Sequence, residues 1–277
     1  MGLDYQFYQS DDFIVPYLNI SKGDKKMLAF HGYAQSAREL SYFDDVLKNS
    51  YTTLAVNHFF HEQAVYPVNR KHKYPLGKEE LAQLYMNIPS IKNEDKISLF
   101  GYSMGGKIAL TLIELFPEKI DKVYLFAPDG LYVNPWYRII VFTSFGRRLM
   151  QTTLKSPKVY FNLSKLAYKL GFFSEKLYHY FNENMKDEKA RAQIYDTWLA
   201  YRKVMPNLNK IANNITQFQI DTHLIFGEHD SIITPKIGED FQIKSDFIHL
   251  HKVPCGHMMN NEKVKKVLHN IISSSTN

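Results

Sequence analysis

The stretch KISLFGYSMGGKIAL, residues 96–110, decides how the chain is read. KISLF (96–100) has the apolar, branched and aromatic character of a buried strand, and GGKIALTLIELF (105–116) has the repeat of a helix. The handover takes place within Gly-Tyr-Ser-Met-Gly, residues 101–105. A turn this tight forces the backbone of Ser103 into a strained conformation, and side chains at Gly101 or Gly105 would collide with it. The return is a hydroxyl exposed at the carboxyl edge of a sheet. It sits beside a helix amino terminus, whose N–H groups favour negative charge. A bare G-x-S-x-G also arises by chance as a glycine-rich turn. The strand before it and the helix after it favour a nucleophile.

Working outward, short β-like runs recur at KMLAF (26–30), YTTLAV (51–56), KVYLFAP (122–128), THLIFG (222–227) and DFIHLHKV (246–253). Helix-like stretches follow several of them: SARELSYFDDVLKN, KEELAQLYMNI and the GGKIAL segment itself. This alternation predicts an α/β fold with a mainly parallel sheet flanked by helices. YQFYQSDDFIVPYLNI, near the amino terminus, reads as one or two antiparallel edge strands. The rhythm breaks over 131–215, where helical, aromatic-rich segments are punctuated by Pro135, Pro157, Gly171 and Pro206. The expected organisation is therefore a core of 1–130 and 216–277 with a helical insertion at 131–215.

Composition narrows the class. The chain has 277 residues, 45% hydrophobic and 22% charged, ordinary for a globular protein with a real core. The early acids in MGLDYQFYQSDD argue against a secretory leader, and no apolar run is long enough to span a bilayer. Cys255 is the only cysteine, which excludes an internal disulfide and fits a reducing, cytoplasmic setting. The net charge of +6 is local: 131–215 holds 14 basic against 5 acidic residues, leaving 20 against 23 elsewhere. Without a recognisable module, that charge does not point to nucleic acid.

With these segments in place, the chain resembles the α/β-hydrolase superfamily over about 1–130 and 216–277. Four motifs carry the resemblance: FHGYAQSA (30–37), the serine turn, GEHDSIITP (227–235) and VPCGHMMNNE (253–262). It implies Ser103 as nucleophile, Asp230 as acid and His257 as base, in the chain order of that fold. It also implies an oxyanion hole from the backbone N–H groups of Tyr33 and Met104, with His31 ordering the turn before Tyr33. By the same resemblance 131–215 is a cap (lid) that shapes the pocket. The activity implied is a serine hydrolase, carboxylesterase- or thioesterase-like, working through an acyl-enzyme without cofactor or metal.

Other readings stay open at this point. Asp129, in FAPDGL, is the rival acid, because some members of the fold place it after that earlier strand. His31, Lys107, Trp136 and Trp198 are candidate substrate contacts; the plain alternatives are a histidine that only orders its turn, a solvated lysine and rings that pack the cap's own core. HFFHE (58–62) matches neither the HExxH spacing nor a full ligand set, so no metal is expected. His229, His249 and His251 read as structural or surface residues, and Cys255 as a packing residue. Asn57 stands where many relatives carry an acid in a D-x-P-G-x-G loop. GYSMGGK is similar to GYSMGGR of the menaquinone-pathway lyases, with Lys107 in place of arginine. A lyase, a carbon–carbon bond hydrolase and a non-catalytic binding protein therefore remain alternatives. Epoxide hydrolases and haloalkane dehalogenases are disfavoured, since their nucleophile is Asp where this chain has Ser103. The partner expected is a small acyl substrate, with the basic surplus suggesting an anionic one, and no stable membrane insertion.

Overall fold

The computed structural model describes residues 4–70, 73–133, 135–171 and 175–274. Its strands are β1 (Gln6–Ser10), β2 (Phe13–Asn19), β3 (Lys25–Phe30), β4 (Tyr51–Val56), β5 (Ile97–Tyr102), β6 (Ile120–Phe126), β7 (Asp221–Gly227) and β8 (Ile248–Val253). They form one eight-stranded sheet in the order β1-β2-β4-β3-β5-β6-β7-β8. From β4 to β8 every neighbouring pair is parallel, while β1 and β2 join antiparallel at one edge. The sheet class read from the sequence is the one observed, with the strand limits shifted by a few residues. Strand β5 is buried throughout, as a central parallel strand covered on both faces must be.

The helices are α1 (Asp44–Leu47), α2 (Lys78–Met86), α3 (Pro89–Lys92), α4 (Met104–Leu115), α5 (Pro135–Phe142), α6 (Ser144–Lys155), α7 (Pro157–Lys169), α8 (Glu175–Asn184), α9 (Glu188–Ala200), α10 (Leu208–Phe218), α11 (Pro235–Gln242) and α12 (Glu262–Ser274). The expected first helix is mostly a 3₁₀ turn, Ala37–Phe43, followed by the single turn α1. Its buried residues Ala37, Leu40 and Phe43 explain this, since a spacing of three aligns side chains on a three-residue turn.

The chain divides into two compact units, one of 1–67, 77–132 and 204–277, the other of 68–76 and 133–203. The division differs from the expected 131–215 insertion at its far end, and the reason is polar. Asn214 on α10 donates through Nδ2 to the carbonyls of Ile113 and Glu114 at the end of α4, at 3.0 and 3.1 Å. The Asn207 N–H donates to the Glu114 carboxylate at 2.8 Å, so α10 belongs with the sheet. In the helical unit, Val141, Tyr195 and Leu199 form a core against which Tyr137, Met150 and Trp198 pack. The Leu76 N–H donates to the Ala200 carbonyl at 2.9 Å and ties 68–76 to α9.

Two contacts near the carboxyl ends of the central strands matter most for the site. Helix α4 is buried on nearly every side and lies so close to β3 that a Cβ on Gly105 would land on the Phe30 carbonyl. Beyond Phe30, the buried rings of His31, His58 and His61 interlock, with the His31 and His58 centroids 4.1 Å apart. The His31 Nδ1–H donates to the Gly32 carbonyl at 2.7 Å, while its Nε2 accepts the His58 N–H at 3.2 Å. The His58 Nε2–H donates to the His31 carbonyl at 2.7 Å. His61 Nε2 accepts the Ala34 N–H at 3.2 Å, and its Nδ1–H donates to the Phe59 carbonyl at 3.1 Å.

His31 and His61 each donate at one nitrogen and accept at the other, which requires a neutral ring. Burial, then the neighbouring His58 and His61, holds His31 well below the ordinary histidine value. Burial, then His61, pushes His58 down to about 3, and burial also lowers His61.

Two outcomes follow. Gly105→Ala should cost about 1–3 kcal/mol or more through forced separation of α4 from β3, read as a lower urea midpoint; an unchanged midpoint contradicts the close approach. The second concerns pH. Below about 6.5 the unfolded chain protonates these histidines while the folded rings stay neutral. Stability should therefore fall as pH drops from 7 to 5, by about 1.4 kcal/mol per pH unit for each ring that stays neutral. Urea titrations should show His58→Gln flattening that slope. Equal stability at both ends of the range refutes the assignment.

Candidate functional site

Ser103 joins β5 to α4 with φ 49° and ψ −113°, a left-handed conformation that L residues adopt only under constraint. Its neighbours lock it there: the Ser103 N–H donates to the Phe126 carbonyl at 2.9 Å, and its carbonyl accepts the Asp129 N–H at 2.8 Å. A Cβ on Gly101 would lie 2.8 Å from the Gly106 Cα, so both glycines of the motif are sterically required. Met104 is the first residue of α4, and a helix leaves its first N–H groups without intrahelical acceptors. The dipole and these N–H groups converge at the serine.

Asp230 lies in the loop after β7, and His257 in the loop after β8. His257 Nδ1 is 2.7 Å from Asp230 Oδ2, and its Nε2 is 3.2 Å from Ser103 Oγ. Asp230 is buried, and its Oδ1 accepts the N–H groups of Ile232 and Ile233 at 2.8 and 3.0 Å. A buried carboxylate needs such partners, and here they leave Oδ2 for the imidazole. The two loops are pinned together by backbone bonds, Glu228 N–H to the Val253 carbonyl at 2.8 Å and His229 N–H to the Cys255 carbonyl at 3.0 Å.

Tyr33 sits in the turn after β3, where Ala34 has φ 58°. Gln35 closes this turn by accepting the Gly32 N–H on Oε1 at 3.0 Å. The Tyr33 ring meets His61 edge-on at 5.7 Å, so the histidine interlock supports the turn from behind. HFFHE thus does the work of a hydrogen-bonded scaffold. Among the described residues, no group of three His, Cys, Asp or Glu side chains is arranged to hold a metal.

The remaining candidates fall elsewhere. Lys107 is buried, with its ammonium 2.6 Å from the Asp129 carboxylate, so the solvated lysine considered from the sequence is not what is found. Asp129 therefore engages Lys107, whereas Asp230 engages His257. Trp198 packs in the helical unit's core, its ring 5.2 Å from Tyr137, while the side chain of Trp136 lies outside the described residues. Asn57 is buried and accepts the Ala37 N–H on Oδ1 at 2.7 Å, ordering the 3₁₀ segment. His249 and His251 gather with His223 near the start of β7, by Asp221, at the end of the sheet away from the Asp230 loop. Burial pushes the Cys255 thiol up, away from thiolate chemistry at neutral pH.

One residue escaped the sequence reading. Tyr102, the variable position before the serine, lies beside the His257 ring at a centroid distance of 5.6 Å. Its hydroxyl donates to the His257 carbonyl at 2.9 Å. The only local signal was an aromatic residue adjoining the nucleophile position.

Comparison with known proteins agrees with this architecture. A search of curated proteins finds no significant match. Several solved structures are similar in fold at low identity. A bacterial membrane phospholipase A described as a virulence factor is 19% identical, with a TM-score of 0.65 over 99% of this chain and 86% of that one. A serine hydrolase involved in carbazole degradation is 16% identical, with a TM-score of 0.65 over 99% of each chain. A thermophilic esterase from Thermogutta terrifontis is 15% identical, with a TM-score of 0.67 over 99% of this chain and 98% of that one. The sequence itself matches the family described as alpha/beta hydrolase fold over residues 26–264, and the chain belongs to that family.

Proposed function

We propose that the protein is a serine hydrolase that cleaves a carboxylic ester or thioester through an acyl-enzyme. The observation that carries this reading is the continuous relay from Asp230 Oδ2 to His257 Nδ1 at 2.7 Å, and from His257 Nε2 to Ser103 Oγ at 3.2 Å. In the first step Ser103 Oγ attacks the acyl carbon while its proton passes to His257 Nε2. Asp230 holds the imidazole in the tautomer with a free Nε2 lone pair and stabilises the imidazolium that forms. The Met104 and Tyr33 N–H groups stabilise the negative oxygen of the tetrahedral intermediate. Collapse expels the alcohol or thiol, which takes the proton from His257. Water then attacks the acyl-enzyme by the same route in reverse, releasing the acid and restoring Ser103.

The helical unit, most of which is inserted in the chain between β6 and β7, is read as the cap that selects the acyl group. Its basic surplus favours an anionic substrate, and the single half-buried thiol of Cys255 favours a reducing, cytoplasmic setting.

Turnover of an activated ester tests the mechanism. Ser103→Ala and His257→Ala should each lower kcat by about 10⁶, and Asp230→Asn by about 10⁴. Asp129→Asn should leave the rate within about tenfold, because its carboxylate faces Lys107. A fluorophosphonate probe should label the wild type at Ser103 and fail on Ser103→Ala. An unlabelled wild type, or an active Ser103→Ala, sinks the reading and leaves a binding protein on this scaffold.

A further inference from the structure

Between Asp129 and Glu175 the chain carries seven basic residues and no acidic one. This stretch contains α5, α6 and α7 of the helical unit, and α7 displays two adjoining stripes. Leu163 and Leu166 on α7 and Leu170 just after it are 40%, 53% and 63% exposed. Their spacing of three and four places them in one row. Lys158, Lys165 and Lys169 fill the neighbouring row and are exposed as well. A different side of α7 makes the internal contacts: Ser164 is buried, and its hydroxyl donates to Asn182 Oδ1 on α8 at 2.9 Å. The α5–α6 turn separately exposes Phe142 and Phe145, by 44% and 73%, close in sequence to the exposed Arg148. Arg147 is spent differently, donating to the carbonyls of Val141 and Phe142 that end α5.

An exposed leucine row beside a lysine row favours a partner that offers apolar groups and anions side by side. A polyanion in water neutralises lysines and leaves the leucines wet. A lipid surface receives leucine and phenylalanine side chains at the acyl boundary while lysines meet phosphate headgroups. The total absence of acids over this stretch adds attraction for anionic lipid in particular, and salt screens that attraction. No helix among the described residues is long and apolar enough to cross a bilayer, so the contact is peripheral.

We propose that the α6–α7 face of the helical unit docks on membrane surfaces rich in anionic lipid. This docking stands apart from the hydrolase reading, since it uses none of the relay residues.

Co-sedimentation of the full chain tests it, with vesicles of phosphatidylcholine alone and of phosphatidylcholine mixed with phosphatidylglycerol, at low and high salt. Binding should require phosphatidylglycerol and be released by salt. Lys165→Gln with Lys169→Gln, and separately Leu166→Ser with Leu170→Ser, should each weaken vesicle binding about tenfold or more. Both variants should keep the wild-type Tm without lipid, because the replaced side chains are exposed.

Four results overturn the proposal. They are no binding to either vesicle, binding to both alike, retention on heparin without vesicle binding, and a lipid-free Tm loss or lost self-association in the leucine variant. The last places those leucines inside the protein or between copies of it.

Discussion

The nearness of helix α4 to strand β3 governs the rest of the sheet unit. Only a residue without a side chain fits at Gly105, over the Phe30 carbonyl, and this fixes where α4 starts. With the helix held there, the link from β5 has a single residue to reverse direction, and Ser103 takes the strained backbone that results. The same Phe30 ends the strand leading into His31 and the Tyr33 turn. Its ring stacks on His58 at 6.2 Å and packs on Tyr85 at 5.1 Å. One packing contact thus sets both the direction of the hydroxyl and the start of the Tyr33 turn. Strain at the serine persists because buried neighbours over-determine it.

Polar groups are distributed in keeping with that economy. Several buried side chains that carry hydrogen-bonding atoms find named partners: Asp230 with two amides and an imidazole, Asn57 Oδ1 with Ala37, Asn214 with the end of α4. Lys107 shows the same logic for a charge, since burial on α4 is tolerated by a carboxylate at 2.6 Å. The histidine interlock solves the problem without charge, by matching donors to acceptors on neutral rings. These pairings stabilise modestly, yet leaving any one of them half-made is expensive.

Much of this was legible in the sequence because it rests on local signals. The glycines around Ser103, the strand-like runs, and the Asp230 and His257 segments each announce themselves within a few residues. What escaped depends on pairing across the sheet. The parallel register that sets Phe30 opposite Val56 brings His31 beside His58, and nothing near either residue foretells the exchange of bonds. Nothing near Tyr102 marks it, because its partner lies 155 residues away. The 3₁₀ segment reads as a plain helix in the sequence, since its spacing of three also fits a helical repeat. The far end of the insertion is hard to read for a similar reason. Helix α10 is amphipathic like several helices before it, and the bonds of Asn207 and Asn214 to α4, with the burial of Ile211 and Ile215, show where it belongs.

The backbone bonds between the loops after β7 and β8 carry a mechanical consequence. Glu228 and His229 hang on Val253 and Cys255, so carboxylate and imidazole ride on one stiff platform. Ser103 is clamped to a different one, through Phe126 and Asp129. Thermal breathing of the sheet therefore preserves the spacing of acid to base and modulates the gap to the hydroxyl. The softest of these coordinates is the gap from His257 Nε2 to Ser103 Oγ, along which the proposed mechanism moves a proton.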